Sequence, residues 1–179
     1  EGTPFYERYG EGDSKDLPDD DENRDMYDAC VNILRENGCE RYEISNFALP
    51  GYESRHNLKY WDMSEFLGFG AGAYSYFDHY RYNNISGLSE YIAASDKVED
   101  SVKLSVADEM SEFVFLGLRR DAGISAGAFR KRFGTDIFDI YEKPLEKYIK
   151  SGILLYDGDN IKIREDMVFV SNYILSDFV

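Results

Sequence analysis

The 179-residue chain is short of cysteine, histidine, proline, tryptophan and positive charge: two Cys, two His, four Pro, one Trp, and 20 Lys plus Arg against 35 Asp plus Glu. Two cysteines, Cys30 and Cys39, are too few for a disulfide scaffold, and their spacing fits no metal motif. They suit a reducing cytoplasm, with Cys30 expected as a small buried hydrophobe on the apolar face of a helix. A net charge of −15 argues against nucleic acid or an anionic membrane as partner, because both call for a basic footprint, and it serves solubility instead. No apolar run reaches the length of a membrane span and no signal-peptide pattern is present. The chain begins Glu1-Gly2-Thr3-Pro4 rather than with Met, which reads as a start inside something longer. Asn84-Ile85-Ser86 matches a glycosylation sequon, a triplet common by chance, in a context that does not look secreted.

What is abundant is aromatic and apolar residues, enough for a sizeable core. Residues 1–18, rich in Gly, Pro and charge, read as a loop. A helix follows, capped by Asp19 with Glu22 at the capping-box position, carrying Met26, Tyr27, Cys30, Ile33 and Leu34 as its apolar stripe and stopping at Gly38. "RYEISNF" alternates as one strand until Pro50-Gly51 breaks it, and helix-turn-strand is the rhythm of a β/α unit. "FLGFGAGAYSYF" carries glycines at 68, 70 and 72 but no helix after them. A strand or hairpin turning at Asp78-His79 therefore fits better than a phosphate loop, and the glycines allow a close approach by backbone or ligand. "GLSEYIAAS" reads as a short helix.

Composition changes near Ser101, which divides the chain into residues 1–100 and 101–179. The second part offers a helix capped by Ser105 and Asp108 that runs to Gly123, and a short helix with Phe129 and Phe133 one turn apart. A third helix is opened or kinked by Pro144, a hairpin turns at Asp157-Gly158, and a last helix carries Met167, Val170, Ile174, Leu175 and Phe178. Three helices, a hairpin and a helix describe a winged-helix-like domain. Its third helix is electrically balanced, its wing is acidic, and its one basic cluster, Arg130-Lys131-Arg132, reads as a solvated helix face. Docking of a protein partner suits such a module better than DNA.

The segment "RYEISNFALPGYESRHNLKYW" (41–61), followed by "FLGFGAGAYSYF", resembles the oxygen-independent coproporphyrinogen III oxidase-like family of radical S-adenosylmethionine proteins. "EGTP", "LPDDDENRDMY" and, more weakly, the C-terminal domain extend the resemblance over essentially the whole chain. The HNxxYW pattern of His56, Asn57, Tyr60 and Trp61 is similar to the branch regarded as haem chaperones. The resemblance implies an α+β chain: the end of an incomplete β/α barrel (strands, a helix and a β-hairpin) followed by the winged-helix-like domain, together the C-terminal half of the family's full length. It implies haem or porphyrin as ligand, with His56 on the haem iron flanked by Asn57, Tyr60 and Trp61, and haem-receiving proteins as partners. Porphyrinogen oxidation is the other activity known in the family.

The family's S-adenosylmethionine and 4Fe–4S cluster depend on a Cys-x3-Cys-x2-Cys loop and a Gly-rich segment that this sequence lacks. By itself the chain is therefore expected to be catalytically incomplete. Ala48 and Tyr74 match positions that contact the cofactor in the related dehydrogenase. Glu43 and Arg55, beside the motif, either pair locally or face a porphyrin carboxylate. His79, in the hairpin turn, is the weaker of the two histidine candidates. A non-enzymatic protein-docking winged-helix module is the alternative reading of the whole.

Overall fold

The computed structural model describes residues 2–10 and 17–179, and its architecture is α+β. Residues 4–9, expected as loop, form helix α1 (Pro4–Tyr9), because the Thr3 hydroxyl accepts from the Tyr6 amide and Pro4 at the first helical position is pre-set for the turn. Helix α2 (Asp20–Glu36) has the expected Asp19–Glu22 capping box. Its buried face, however, runs through Tyr27, Val31 and Leu34, leaving Met26, Cys30 and Ile33 exposed. The expectation that Cys30 is buried is corrected: two apolar rows lie side by side on this helix, and only the one through Val31 meets the fold.

The expected single strand over 41–47 is a hairpin, β1 (Glu40–Glu43) against β2 (Asn46–Ala48). The Glu43 carboxylate folds the turn by accepting from the Ser45 amide at 3.2 Å and from the Asn46 side chain, so a side chain overrides the alternating pattern. Glu43 is 1 % exposed and pairs locally, which settles one of the two readings of that residue. Helix α3 (Arg55–Trp61) comes next, then the hairpin of β3 (Tyr74–Phe77) and β4 (Tyr80–Asn84) around Asp78-His79, both at positive φ as a tight two-residue turn requires. After α4 (Leu88–Ala93), β5 (Val98–Lys103) adds to β4 and completes an antiparallel sheet in the order β3-β4-β5. The break near residue 100 thus falls inside a strand.

Helix α5 (Val106–Gly117) carries the Ser105–Asp108 box and ends at Leu118, a turn before Gly123. A two-residue strand, β6 (Ile124–Ser125), leads into α6 (Ala126–Phe133) and α7 (Ile137–Lys150). Tyr141 leaves helical geometry in α7, where Pro144 has no N–H to offer the carbonyl one turn back. Strands β7 (Leu154–Tyr156) and β8 (Asn160–Ile163) form the expected hairpin, in a sheet ordered β6-β8-β7. The expected last helix is broken into a 3-10 turn (Glu165–Val170), α8 (Ser171–Leu175) and a final 3-10 turn, which leaves Val170 half exposed.

The main core lies here. Val114, Phe129, Ile137, Leu145, Ile161 and Leu175 are fully buried, and Phe113, Phe133 and Tyr141 pack their rings on Phe129. Tyr27 and Ile44 reach it from the N-terminal elements.

Candidate functional site

The chain enters α3 from the Pro50-Gly51 turn, and the Ser54 hydroxyl caps the helix by accepting from the Asn57 amide at 3.3 Å. The HNxxYW motif is thus helical, and helical spacing sorts it. His56 and Tyr60 fall on one face, Asn57 and Trp61 on the next. His56 is exposed and the other three are half-buried. Tyr60 Oη lies 3.0 Å from His56 Nε2, and the rings meet edge to face at 5.0 Å. With the phenol as donor, Nε2 is the acceptor and the imidazole proton sits on Nδ1.

Tyr60 is held in turn by Phe66, edge to face at 4.6 Å, and Phe66 exchanges two backbone hydrogen bonds with Tyr76 of β3. Gly68 makes this docking possible: a Cβ there would stand 2.2 Å from the Tyr74 carbonyl oxygen. The close approach expected of these glycines is therefore by backbone. Arg55 stands exposed in the first turn of α3.

Trp61 faces α5 and the segment after it. The Arg119 guanidinium lies 5.1 Å from the centre of the indole, and Arg120 pairs with Asp62. Those arginines are fixed by backbone: Ile44 donates to the Arg119 carbonyl at 3.1 Å and Asp121 to the Tyr42 carbonyl at 3.2 Å, so residues 119–121 run along β1. The Asp121 carboxylate accepts from Arg41 Nε at 2.9 Å, and Tyr27 Oη lies 3.0 Å from the same guanidinium. Between Trp61 and α5 opens a cleft of about 350 Å³.

A second polar cluster went unread in the sequence. Glu109 of α5 is 5 % exposed, and its Oε1 accepts from Tyr76 Oη at 2.7 Å and from His79 Nδ1 at 2.8 Å, while Arg132 of α6 donates to Tyr76 Oη at 3.1 Å. Burial alone would raise the Glu109 carboxyl, but the hydrogen bonds from Tyr76 and His79 and the charges of His79 and Arg132 outweigh it and hold the group below the usual carboxylate range. Burial, then the Glu109 carboxylate, push the Tyr76 phenol up to about 12. His79 thus has a structural partner, and Arg132, counted with a solvated face, reaches across to β3. The one signal in the sequence was an acidic residue a single turn before Phe113, on a helix whose inner face is otherwise apolar.

Ala48 and Tyr74 do not share a sheet. Ala48 is half-buried in β2 opposite Glu40, and Tyr74 is 68 % exposed in β3 opposite Asn83. Cys30 and Cys39 are both free thiols, and two cysteines cannot supply the three thiolates of a radical-enzyme cluster, so these residues hold no such cluster. Among the described residues no helix is long and apolar enough to cross a membrane. An exposed imidazole with the Tyr60 ring beside it is a donor of the kind a metalloporphyrin takes, a neutral nitrogen.

The sequence profile of the HemN C-terminal domain matches residues 104–165. Among similar proteins, the chain is 34 % identical to "Heme chaperone HemW" of Lactococcus lactis, over 91 % of this chain and 44 % of that protein. It is 29 % identical to "Heme chaperone HemW" of Bacillus subtilis over 99 % and 48 %, and 29 % identical to the mouse protein "Radical S-adenosyl methionine domain-containing protein 1, mitochondrial" over 97 % and 42 %. The chain therefore spans less than half the length of each of these relatives. Its fold is that of a solved structure titled "Coproporphyrinogen III oxidase (HemN) from Escherichia coli is a Radical SAM enzyme", with a TM-score of 0.72 and 16 % identity over 93 % of this chain and 43 % of that one. The chain matches the C-terminal half of the HemN-like radical S-adenosylmethionine family.

Proposed function

We propose that this chain carries the haem-binding part of a haem chaperone. His56 ligates the haem iron, Asn57, Tyr60 and Trp61 border the porphyrin, and the loaded protein passes haem to a receiving protein in a reducing cytoplasm. The observation that carries this reading is the exposed His56 imidazole, presented on a capped helix and braced by Tyr60 and Phe66 rather than buried in the core. The names of the bacterial relatives point the same way. Haem is cargo here. It enters against α3, Tyr60 Oη releases Nε2, and the nitrogen lone pair then goes to the iron.

The remaining parts are read in the same frame. Helices α5, α6 and α7 with the β6-β8-β7 sheet form a winged-helix-like module that packs on the end of a β/α barrel, which divides the chain near residue 100 into barrel and module. Ala48 and Tyr74 border the S-adenosylmethionine site of the whole protein, where the cofactor with its 4Fe–4S cluster supplies radical chemistry. The test is transfer. Protein loaded with haem and mixed with a haem-free acceptor should pass on its Soret band, whereas His56→Ala should neither load nor transfer. Equal transfer by His56→Ala would sink the reading.

A further inference from the structure

The cleft beside Trp61 is lined by Asp62, Phe113, Arg120, Ile124 and Asn160 among others. Two N–H donors of its lining residues, Trp61 Nε1 and Arg120 Nε, are buried without an acceptor among the described residues, and Arg119 Nε, behind the indole, is in the same state. Indole and guanidinium groups only donate, so nothing within this set satisfies another member of it. The Arg119 guanidinium lies over the Trp61 and Phe115 rings, which offsets part of its loss. No such contact serves Trp61 Nε1 or Arg120 Nε. At the cleft itself Arg120 pairs with Asp62, while Arg119 is outside the lining. Buried donors without acceptors call for an acceptor-only group such as a carboxylate, and the Phe113 and Ile124 walls call for an apolar body attached to it.

We propose that this cleft takes a carboxylate arm of a tetrapyrrole, with Trp61 Nε1 and Arg120 Nε donating to the carboxylate oxygens and Phe113 and Ile124 packing on the ring edge. This rests on the haem reading above and extends it to residues outside the HNxxYW motif. Arg120 becomes a binding residue, and Trp61 serves as a donor as well as an aromatic wall. His56 and Trp61 are five residues apart on α3, about 7.5 Å along the helix axis. Five residues also turn the two side chains about 140° apart around the axis, so a tetrapyrrole that meets both points spans the edge of the helix rather than one face. The pairing discriminates: a porphyrin with free carboxylates is held at both points, and one with esterified arms at the first alone.

Trp61 is the only tryptophan of the chain, so its fluorescence reports this cleft directly. The probes are metal-free protoporphyrin, which needs no iron ligand, and its dimethyl ester. The free acid should quench Trp61 and bind at least about tenfold more tightly than the ester, a charge-assisted hydrogen bond's worth of affinity. Arg120→Met should bring the two affinities together while leaving the ester unchanged, and Asp62→Asn, which removes the competing carboxylate, should widen the gap. Equal binding of acid and ester to the wild-type protein would overturn the proposal, and needs no variant to fold. So would a preference that survives in Arg120→Met. A preference seen with metal-free porphyrin but no His56-dependent Soret shift with haem would strike the iron reading and leave the cleft standing.

Discussion

The Tyr60 hydroxyl oxygen lies 3.0 Å from Nε2 of His56, with the two rings nearly perpendicular. The nitrogen offered to iron is thus already engaged, and haem has to displace an internal hydrogen bond. Tyr60→Phe keeps the ring packed between His56 and Phe66 and removes only the hydroxyl. Such a bond is worth about 0.5–1.5 kcal/mol net, so haem affinity should rise roughly two- to tenfold, read by absorbance titration. A fall in affinity would mean that the hydroxyl contacts the bound ligand.

Glu109 ties three elements together, since its partners Tyr76 and His79 belong to the β3-β4 hairpin and Arg132, bound to Tyr76, belongs to α6. Its carboxyl is held below the unfolded value of about 4.3, so the stabilisation is present above that pH and lost as pH falls through the folded value. Thermal melts of the wild-type protein should therefore drop as pH falls below about 4.3. In Glu109→Gln the melting temperature should be lower at pH 7 and the acid slope shallower. An unchanged slope would remove Glu109 from the account of acid sensitivity.

Gly68 passes so close to the Tyr74 carbonyl that an added methyl group has nowhere to go, and the obstacle is backbone. Gly68→Ala should detach the Phe66 segment from β3, costing about 1–3 kcal/mol as overpacking does, and should loosen Tyr60, which rests on Phe66. Faster amide exchange at Phe66 and Tyr76 is the expected readout. Exchange as slow as in the wild-type protein would show that the approach is not tight.

Arg41 has a side chain only 4 % exposed and relies on Asp121 and Tyr27 for compensation. Burial pulls its pKa down, and the hydrogen bonds and charge of these partners more than reverse that. Asp121→Ala leaves a buried cation short of its counter-charge and should cost about 3 kcal/mol in denaturant unfolding. Adding Arg41→Met in the same chain should recover part of that loss. Strictly additive losses would show that the two residues do not act as a pair.

The sequence was most legible where a local device suffices. Both capping boxes and the turns at Asp78-His79 and Asp157-Gly158 lie within a few residues, and the structure has all four. It was least legible where a partner far along the chain decides. Strand β5 is exposed throughout and holds its place only by pairing with β4, so "VEDSVK" carries no burial pattern. Helix α3 has seven residues and an exposed histidine, too short and too polar for a stripe, and only Ser54 announced it. The family motif picked out His56, Asn57, Tyr60 and Trp61 but hid their split over two helix faces. Glu109 and Arg120, far along the chain from the motif, become visible once residues 119–121 lie along β1 and α5 lies under β3.

The most direct measurement is a titration of micromolar haem into the wild-type protein and into His56→Ala, followed at the Soret band. A saturable shift with one haem per chain in the wild-type protein, absent in His56→Ala while its fold and melting temperature are kept, is the predicted result. The same shift in both proteins would contradict the assignment of His56 to the iron.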